Sequence, residues 1–338
     1  MQIQRIALGR EMYDEAKSRG LSFTQVLLEK AKKEGKFSDE AAKQGLENVV
    51  LQQLAARDLR LSGANVSLVD DFYRTEDNKV LFPEYINTVV RIGMMEDLPL
   101  FAGLADIKAT STGIQGISYP GAEVDLDTST GKAKRVAEGM EFPVVLIKFK
   151  NKEIKLRKIG YKIQVSYEAD RRMPLNVFNV TMKVIGRNIT REKINGAVDV
   201  LINGDGNTNP IGSINSNTSG TLAYRDIIKL KYAFRDFQPT GMIAPSLMAE
   251  AYENLDEYKS KTGPTMSAPP KVCDGVPANK IIALDKGAAL EEVYEQGGSL
   301  VEVDKVIQKQ LHDAVVSEVC GWSKLFIGAS KMLNVTWS

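Results

Sequence analysis

The sequence is short of most things a catalyst needs. It holds one histidine, His312, and two cysteines, Cys273 and Cys320. The cysteines make no CxxC pair and have no metal-ligand spacing, which fits buried thiols in a reducing cytoplasm and leaves a disulfide open. His312 precedes Asp313 in QKQLHDAV. Neighbours in a strand point to opposite faces, so this pair reads as structural rather than as two parts of a triad. No GxxxxGK[ST], HExxH or GxSxG occurs. The loop from Asp205 to Asn209 opens like a calcium-binding EF-hand loop. Its sixth position is then Pro210 instead of glycine and its twelfth Ser216 instead of glutamate, so it reads as a polar turn. With no coherent acid, base and nucleophile, the expectation is a protein without catalytic, cofactor or metal residues.

Charge of one sign is missing too. Lys and Arg number 44 against 43 Asp and Glu, a net charge of +1, which gives no support to a partner chosen for its negative charge. No apolar run approaches the ~20 residues that cross a bilayer. The opening MQIQRIALGR has no apolar core after its first charge, so neither a signal peptide nor a membrane partner is expected.

What is present is helical and strand periodicity in a definite order. The 338 residues suffice for two or three domain-sized units. Between Pro174 and Gly204 apolar residues recur at three- and four-residue steps. Val177, Val180, Val184, Ile194, Val198 and Leu201 form one row, and Phe178, Met182, Ile185 and Ile189 widen it. This predicts a single helix of roughly 45 Å with a broad core-facing stripe. Pro174 suits its first turn and Asn203-Gly204 its end. Gly186 and Gly196 lie inside it, each costing about 1 kcal/mol relative to alanine. They mark either a tolerated loss or the close approach of another backbone.

Residues 1–62 read as an amphipathic arm. One helix is expected over about 11–34. A second starts after Ser38, with Asp39 and Glu40 in its first turn and Leu46, Val49, Val50 and Leu54 as its stripe. Two such helices cannot bury themselves alone and need the chain's own body or a neighbouring subunit. Residues 63–113 read as an extended segment through Val80-Leu81-Phe82, a short helix near 84–95 and a loop. From 114 to 166 the period switches to two. Glu123-Val124-Asp125-Leu126-Asp127 alternates, and so do Ile147, Phe149, Ile154, Leu156, Ile159, Tyr161, Ile163 and Val165 against Lys148, Lys150, Lys155, Arg157 and Lys162. A long hairpin with a broad polar tip follows, its alternate residues sheltering one face. Its first arm is acidic and its second basic. Three readings fit: complementary charges across the hairpin, contacts between subunits, or a strip for nucleic acid in which Phe149 and Tyr161 stack on bases. Those two aromatics share a face with Ile147, Ile159 and Ile163, which is a core face.

Residues 221–304 alternate helix and strand. Helices are expected over Ala223–Phe237 and Pro245–Lys259, strands over Gly241–Ala244, Lys280–Leu284 and Ser299–Val303, and a loop over 260–279. Residues 305–338 return to strand, with Val315, Ser317 and Val319 opposing Ala314, Val316, Glu318 and Cys320.

This order of parts resembles the major capsid proteins of tailed bacteriophages, the Hong Kong 97-type fold, over roughly 75–335. The stretches that carry it are EIKLRKIGYKIQVSYEAD (153–170), the long helix closing on NGDGNTNPIG (203–212), TGMIAPSLMAEAYENL, IIALDKGAALEEVY, SLVEVDKVIQKQ and CGWSKLFIGASKMLNV. No one stretch is diagnostic; the resemblance rests on their order and spacing. The resemblance implies an α+β chain with a helical arm (1–62), a peripheral domain carrying the spine helix (63–105, 167–206 and 305–338), an extended β-hairpin loop (106–166) and an α/β axial domain (207–304). It implies pentamers and hexamers of the chain itself, assembled in the host cytoplasm into an icosahedral virion shell around double-stranded DNA. A portal, and a scaffold or decoration protein, would be further partners. Glu123, Asp125, Asp127, Lys148, Lys150, Lys155, Arg157 and Lys162 then become candidate inter-subunit contacts. Many relatives lose a long N-terminal scaffolding region to a protease; the short arm predicts none here. Some crosslink a loop lysine to a neighbour's asparagine. Lys132, Lys134 and Asn334 show no specific signature for that. The same fold builds encapsulin compartments, which is the alternative reading, and a nucleic-acid module on strand 148–162 is a second.

Overall fold

A computed structural model describes residues 5–34, 47–63, 65–124, 135–136, 138, 140, 147–207, 209–260, 269–296, 300–306 and 311–336. In chain order the strands are β1 (Lys108–Ile114), β2 (Ser118–Tyr119), β3 (Ala122–Val124), β4 (Ile147–Phe149), β5 (Ile154–Lys155), β6 (Arg157–Ser166), β7 (Gly212–Asn215), β8 (Gly241–Ala244), β9 (Lys271–Val272), β10 (Lys280–Leu284), β11 (Leu290–Glu295), β12 (Leu300–Val306), β13 (Leu311–Lys324) and β14 (Ser330–Asn334). The chain divides into two units. The first comprises 1–96, 158–190 and 296–319; the second comprises 97–157, 191–295 and 320–338.

In the first unit the arm is part of the core. Glycine at position 20 takes a left-handed backbone (φ 64°) and splits the expected 11–34 helix into Glu11–Arg19 and Phe23–Lys33. Ser22 caps the second piece in a reciprocal box with Gln25. The Ser38 start lies outside the described residues, and the helix that follows runs Glu47–Ala55. Met12, Phe23, Val26, Leu27, Val50 and Leu54 are buried in one cluster with Leu81, Tyr85, Ile86, Leu175, Phe178 and Met182. The arm therefore leans on its own chain. Polar ties fix it: Thr24 Oγ1 donates to Glu84 Oε2 at 3.0 Å, Tyr13 O–H to the Val80 carbonyl at 2.9 Å, and Arg57 to the Ile6 carbonyl at 2.6 Å.

The extended segment expected at 80–82 is instead the interior of a helix, Glu76–Met95, which continues through Pro83. A proline there costs about 3 kcal/mol. Burial of Leu81, Tyr85, Ile86, Val89 and Val90 outweighs it, at roughly 1.5–3 kcal/mol per large side chain.

The long helix runs Leu175–Asn203, close to the predicted ends. The stripe of its first half differs from expectation. Phe178, Met182 and Ile189 are buried, whereas Val177, Val180 and Val184 are 52%, 63% and 42% exposed. Both rows repeat at helical spacing, so periodicity alone could not choose between them. Gly186 shows the reason for the choice. A Cβ there would sit 2.2 Å from the Val90 carbonyl oxygen, and one on Gly93 would sit 2.3 Å from the Lys183 carbonyl oxygen. The two helices touch backbone to backbone on the face that carries the glycine. Gly196 has only the edge of Trp322 near its missing Cβ.

β12 pairs antiparallel with the first part of β13, from Leu300 opposite Ser317 to Val306 opposite Leu311, and β6 also pairs β13. Gly160 in β6 admits the Val316 carbonyl, 2.2 Å from where a Cβ would stand.

In the second unit β11 lies parallel to β1 and antiparallel to the last part of β13, Leu290 opposite Lys324. A second sheet runs β7-β14-β10-β8-β9. β8 and β10 fall where the sequence put them. β1, β9 and β11 lie in stretches read as loop or left unassigned. The helix expected over 223–237 is shorter, Tyr224–Tyr232, and the one over 245–259 is two, Ser246–Glu253 and Asp256–Ser260. Two apolar clusters fill this unit. One gathers Ile194, Val198, Leu201, Ile282, Leu284, Leu290 and Trp322, the other Ile227, Leu230, Tyr252, Ile281 and Leu333.

Candidate assembly surface and the root of the hairpin

The hairpin is shorter in pairing than its alternation suggested. β3 pairs β4, with Glu123 opposite Lys148 in backbone register, and β2 pairs β5, with Ser118 opposite Lys155. Arg157 and Lys162 belong to β6, which pairs β13 instead. Asp125 and Asp127, with Lys132 and Lys134, lie outside the described residues.

At the start of the second arm burial inverts the expected faces, whereas further on Ile154 is buried and Lys155 and Arg157 are exposed, as expected. Ile147 and Phe149, read as core, are 71% and 75% exposed, and Lys150, read as surface, is buried. The arm turns over because Ile154 and Lys150 are the residues packed inward. Lys150 Nζ donates to Asp205, to Ser323 Oγ at 2.9 Å and to the Lys324 carbonyl at 2.6 Å. Its backbone N–H donates to the Gly121 carbonyl at 2.8 Å, joining the two arms. Two residues on, the Lys152 N–H donates to Asn207 Oδ1 at 2.9 Å, and Asn207 Nδ2 returns a bond to the Lys152 carbonyl at 3.2 Å. On the first arm Tyr119 O–H donates to Glu291 at 3.2 Å. Lys148, Lys155 and Arg157 remain exposed. Lys162 pairs at 2.7 Å with Asp313, which also accepts from Gln164.

The polar turn after the long helix is the hub of this root. Asp205 accepts the Lys150 ammonium and the Lys324 N–H. Burial raises its pKa, but the hydrogen bond and charge of Lys150, with help from Asn207 and the Lys324 N–H, outweigh that and hold the carboxyl below its ordinary range. Lys324 is buried beside it and donates to the carbonyls of Leu201 at 3.2 Å and Asn209 at 3.0 Å. Leu201 lies in the last turn of the long helix, where carbonyls lack helical partners and the dipole favours a cation. Burial still pushes Lys324 down to about 8; Asp205 opposes the shift, and Lys331 and Lys150 add to it. Sequence reading found the turn but not this hub, because its partners lie 55 to 174 residues away along the chain.

Two further buried ion clusters stiffen the same unit. Glu292 takes Lys193 at 2.6 Å and Lys108 at 2.5 Å, and Asp106 takes Lys271 at 2.7 Å and Lys286 at 2.6 Å. His312 stacks on Tyr73 at 4.6 Å and lies 4.7 Å from Tyr167, while Asp313 serves Lys162, so the neighbouring pair faces opposite ways. Cys273 and Cys320 are buried and form no disulfide. Among the described residues no cluster of three or more His, Cys, Asp or Glu could hold a metal, and no helix is long and apolar enough to cross a membrane.

Residues 150–322 match the family model described as phage capsid protein, more than half of the 338 residues. The chain belongs to that family. It is a major capsid protein, the subunit of an icosahedral shell. The matched span opens at Lys150, just after β4, and closes at Trp322, so it takes in β5, β6, the long helix and most of β13. Among solved structures the chain is similar to the capsid of an empty GTA particle, with 15% identity, a TM-score of 0.52 and coverage of 72% of this chain and 94% of that one. The capsid of the native GTA particle gives the same figures. A virus-like particle from Pyrococcus furiosus follows at 15% identity and a TM-score of 0.49, covering 74% of this chain and 98% of that one. The fold of this capsid protein is the α+β Hong Kong 97-type fold. No curated protein matches it.

Proposed function

We propose that the shell built by this capsid protein is the head of a tailed bacteriophage, formed of pentamers and hexamers around double-stranded DNA and assembled in the host cytoplasm. The match of residues 150–322 to the phage capsid family carries this reading. In it the protein acts by assembly and not by catalysis. The arm (1–62), with 63–105, 167–206 and 305–338, forms the periphery of each subunit, 207–304 meets its copies around the symmetry axes, and 106–166 reaches a neighbour. Glu123, Asp125, Asp127, Lys148, Lys155 and Arg157 set the register of that reach, where charge contributes more to specificity than to strength. Lys150 and Lys162 already serve Asp205 and Asp313. A portal and a scaffold or decoration protein are the expected further partners. DNA is met non-specifically.

Expression of the full chain followed by electron microscopy and nuclease protection tests this. Closed shells, with nuclease-resistant duplex DNA in particles from infected cells, are the expected result. Shells holding cargo protein and no nucleic acid would move the protein to the compartment class. Salt-sensitive DNA binding by free subunits, with no shells, would move it to the nucleic-acid class.

A further inference from the structure

Past its root the hairpin presents an apolar edge that the described residues leave uncovered. β3 and β4 form a two-stranded ribbon, and Ile147 and Phe149, on one face of β4, point outward. A lone two-stranded ribbon is marginal in water, so its direction must be fixed where it leaves the body. The contacts that can do this converge on one side chain. Lys150 is the next residue after β4, and its ammonium joins the turn after the long helix, through Asp205, to the end of β13, through Ser323 and Lys324. The space is tight. A Cβ on Gly121, across the hairpin, would lie 2.8 Å from Ser323 Oγ and 3.2 Å from Lys150 Cδ. The Lys152–Asn207 pair of bonds and buried Ile154 hold the following residues.

We propose that Lys150 is a positioning residue for shell assembly: clamped by Asp205, Ser323 and the Lys324 carbonyl, it sets the direction in which the hairpin leaves its root, so that the Ile147–Phe149 edge meets a second copy of the chain in one orientation. This rests on the reading that the hairpin contacts a neighbouring subunit. Lys150 is buried within its own chain. It acts through the ribbon it aims.

The test compares Lys150→Met with Lys271→Met in the full-length protein. Lys271 is paired with Asp106 and Asp97 in the same unit and, among the described residues, bonds no side chain of β2, β3, β4 or β5. Hydrogen exchange is read at 117–124 and 147–156 against β10 and β14, and shell yield and diameter by electron microscopy. Lys150→Met is expected to speed exchange in the hairpin segments alone and to replace uniform shells with open or mixed-size particles. Lys271→Met is expected to keep uniform shells and a protected hairpin. Should Lys150→Met fail to fold, Ser323→Ala removes one of the three acceptors, keeps the ion pair, and is expected to show the same pattern more weakly. Unchanged exchange at the hairpin overturns the clamp. Exchange raised there with shells of normal yield and size overturns its role in assembly. Wild-type protein that forms no shells overturns the assembly reading itself, and the exchange arm still reports on the clamp.

Discussion

Lys324 and Asp205 show how a pair of groups can be readable as residue types and unreadable as chemistry. The polar turn was evident from Gly, Asn and Asp after an apolar helix. That its aspartate is buried was not, because burial is set by Lys150 and Ser323 from distant parts of the chain. The pair makes stability depend on pH at both ends. Lys324 is lowered from 10.5 to about 8 in the folded protein, so between those values the unfolded chain binds more protons and stability rises with pH. The full rise is on the order of 3 kcal/mol. Urea melts from pH 7 to 10 are expected to show this rise for the wild type and its absence for Lys324→Met. Asp205 has the opposite window. Its contribution is whole above its ordinary value of 3.8 and is lost as pH falls below it towards the depressed folded value. Asp205→Asn is expected to remove that part of the acid sensitivity while lowering stability at pH 7 by about 3–5 kcal/mol, as for a broken buried pair.

At the scale of elements, the long helix was legible in its ends and in its glycines, and illegible in which way it faced. Two apolar rows compete along 177–189, and only the contact at Gly186 decides between them. That contact gives a prediction with an unusual sign. Alanine raises intrinsic helix propensity by about 1 kcal/mol over glycine. At Gly186 the added methyl would meet the Val90 carbonyl, and overpacking of this kind costs about 1–3 kcal/mol or more. Gly186→Ala is therefore expected to lower the midpoint of denaturant unfolding, whereas Gly196→Ala, with nothing nearer than 3.8 Å, is expected to leave it unchanged or raise it. The helix through Pro83 failed in reading for a related reason. Proline is a strong local signal for a break, and the apolar cluster that overrides it exists only once the arm and the long helix are in place.

At the scale of the whole molecule, the order of arm, hairpin, long helix and α/β insertion was enough to point to the capsid fold. The division of contacts between chain and neighbour was not. The arm was short of partners in the sequence and finds them in its own unit. Leu27→Ala is accordingly expected to lose about 2–5 kcal/mol of subunit stability, with a midpoint independent of protein concentration. The ribbon edge is the converse case. Phe149→Ser removes an exposed ring, so subunit stability is expected to stay within about 0.5 kcal/mol while shell yield falls. Sedimentation of the variant against its thermal midpoint separates the two effects.

β13 carries one further consequence. Along its fourteen residues the even positions Ala314, Val316 and Trp322 serve apolar clusters, and the odd positions Asp313 and Ser323 receive Lys162 and Lys150. A strand repeats every two residues, so its tolerance of length is a matter of parity. One residue added near Glu318 would swap the destinations of everything downstream, aiming Trp322 at the polar side and Ser323 at the apolar one. Two added residues would return each side chain to its proper side and leave only an offset to absorb. Evolution in this segment should therefore count in pairs.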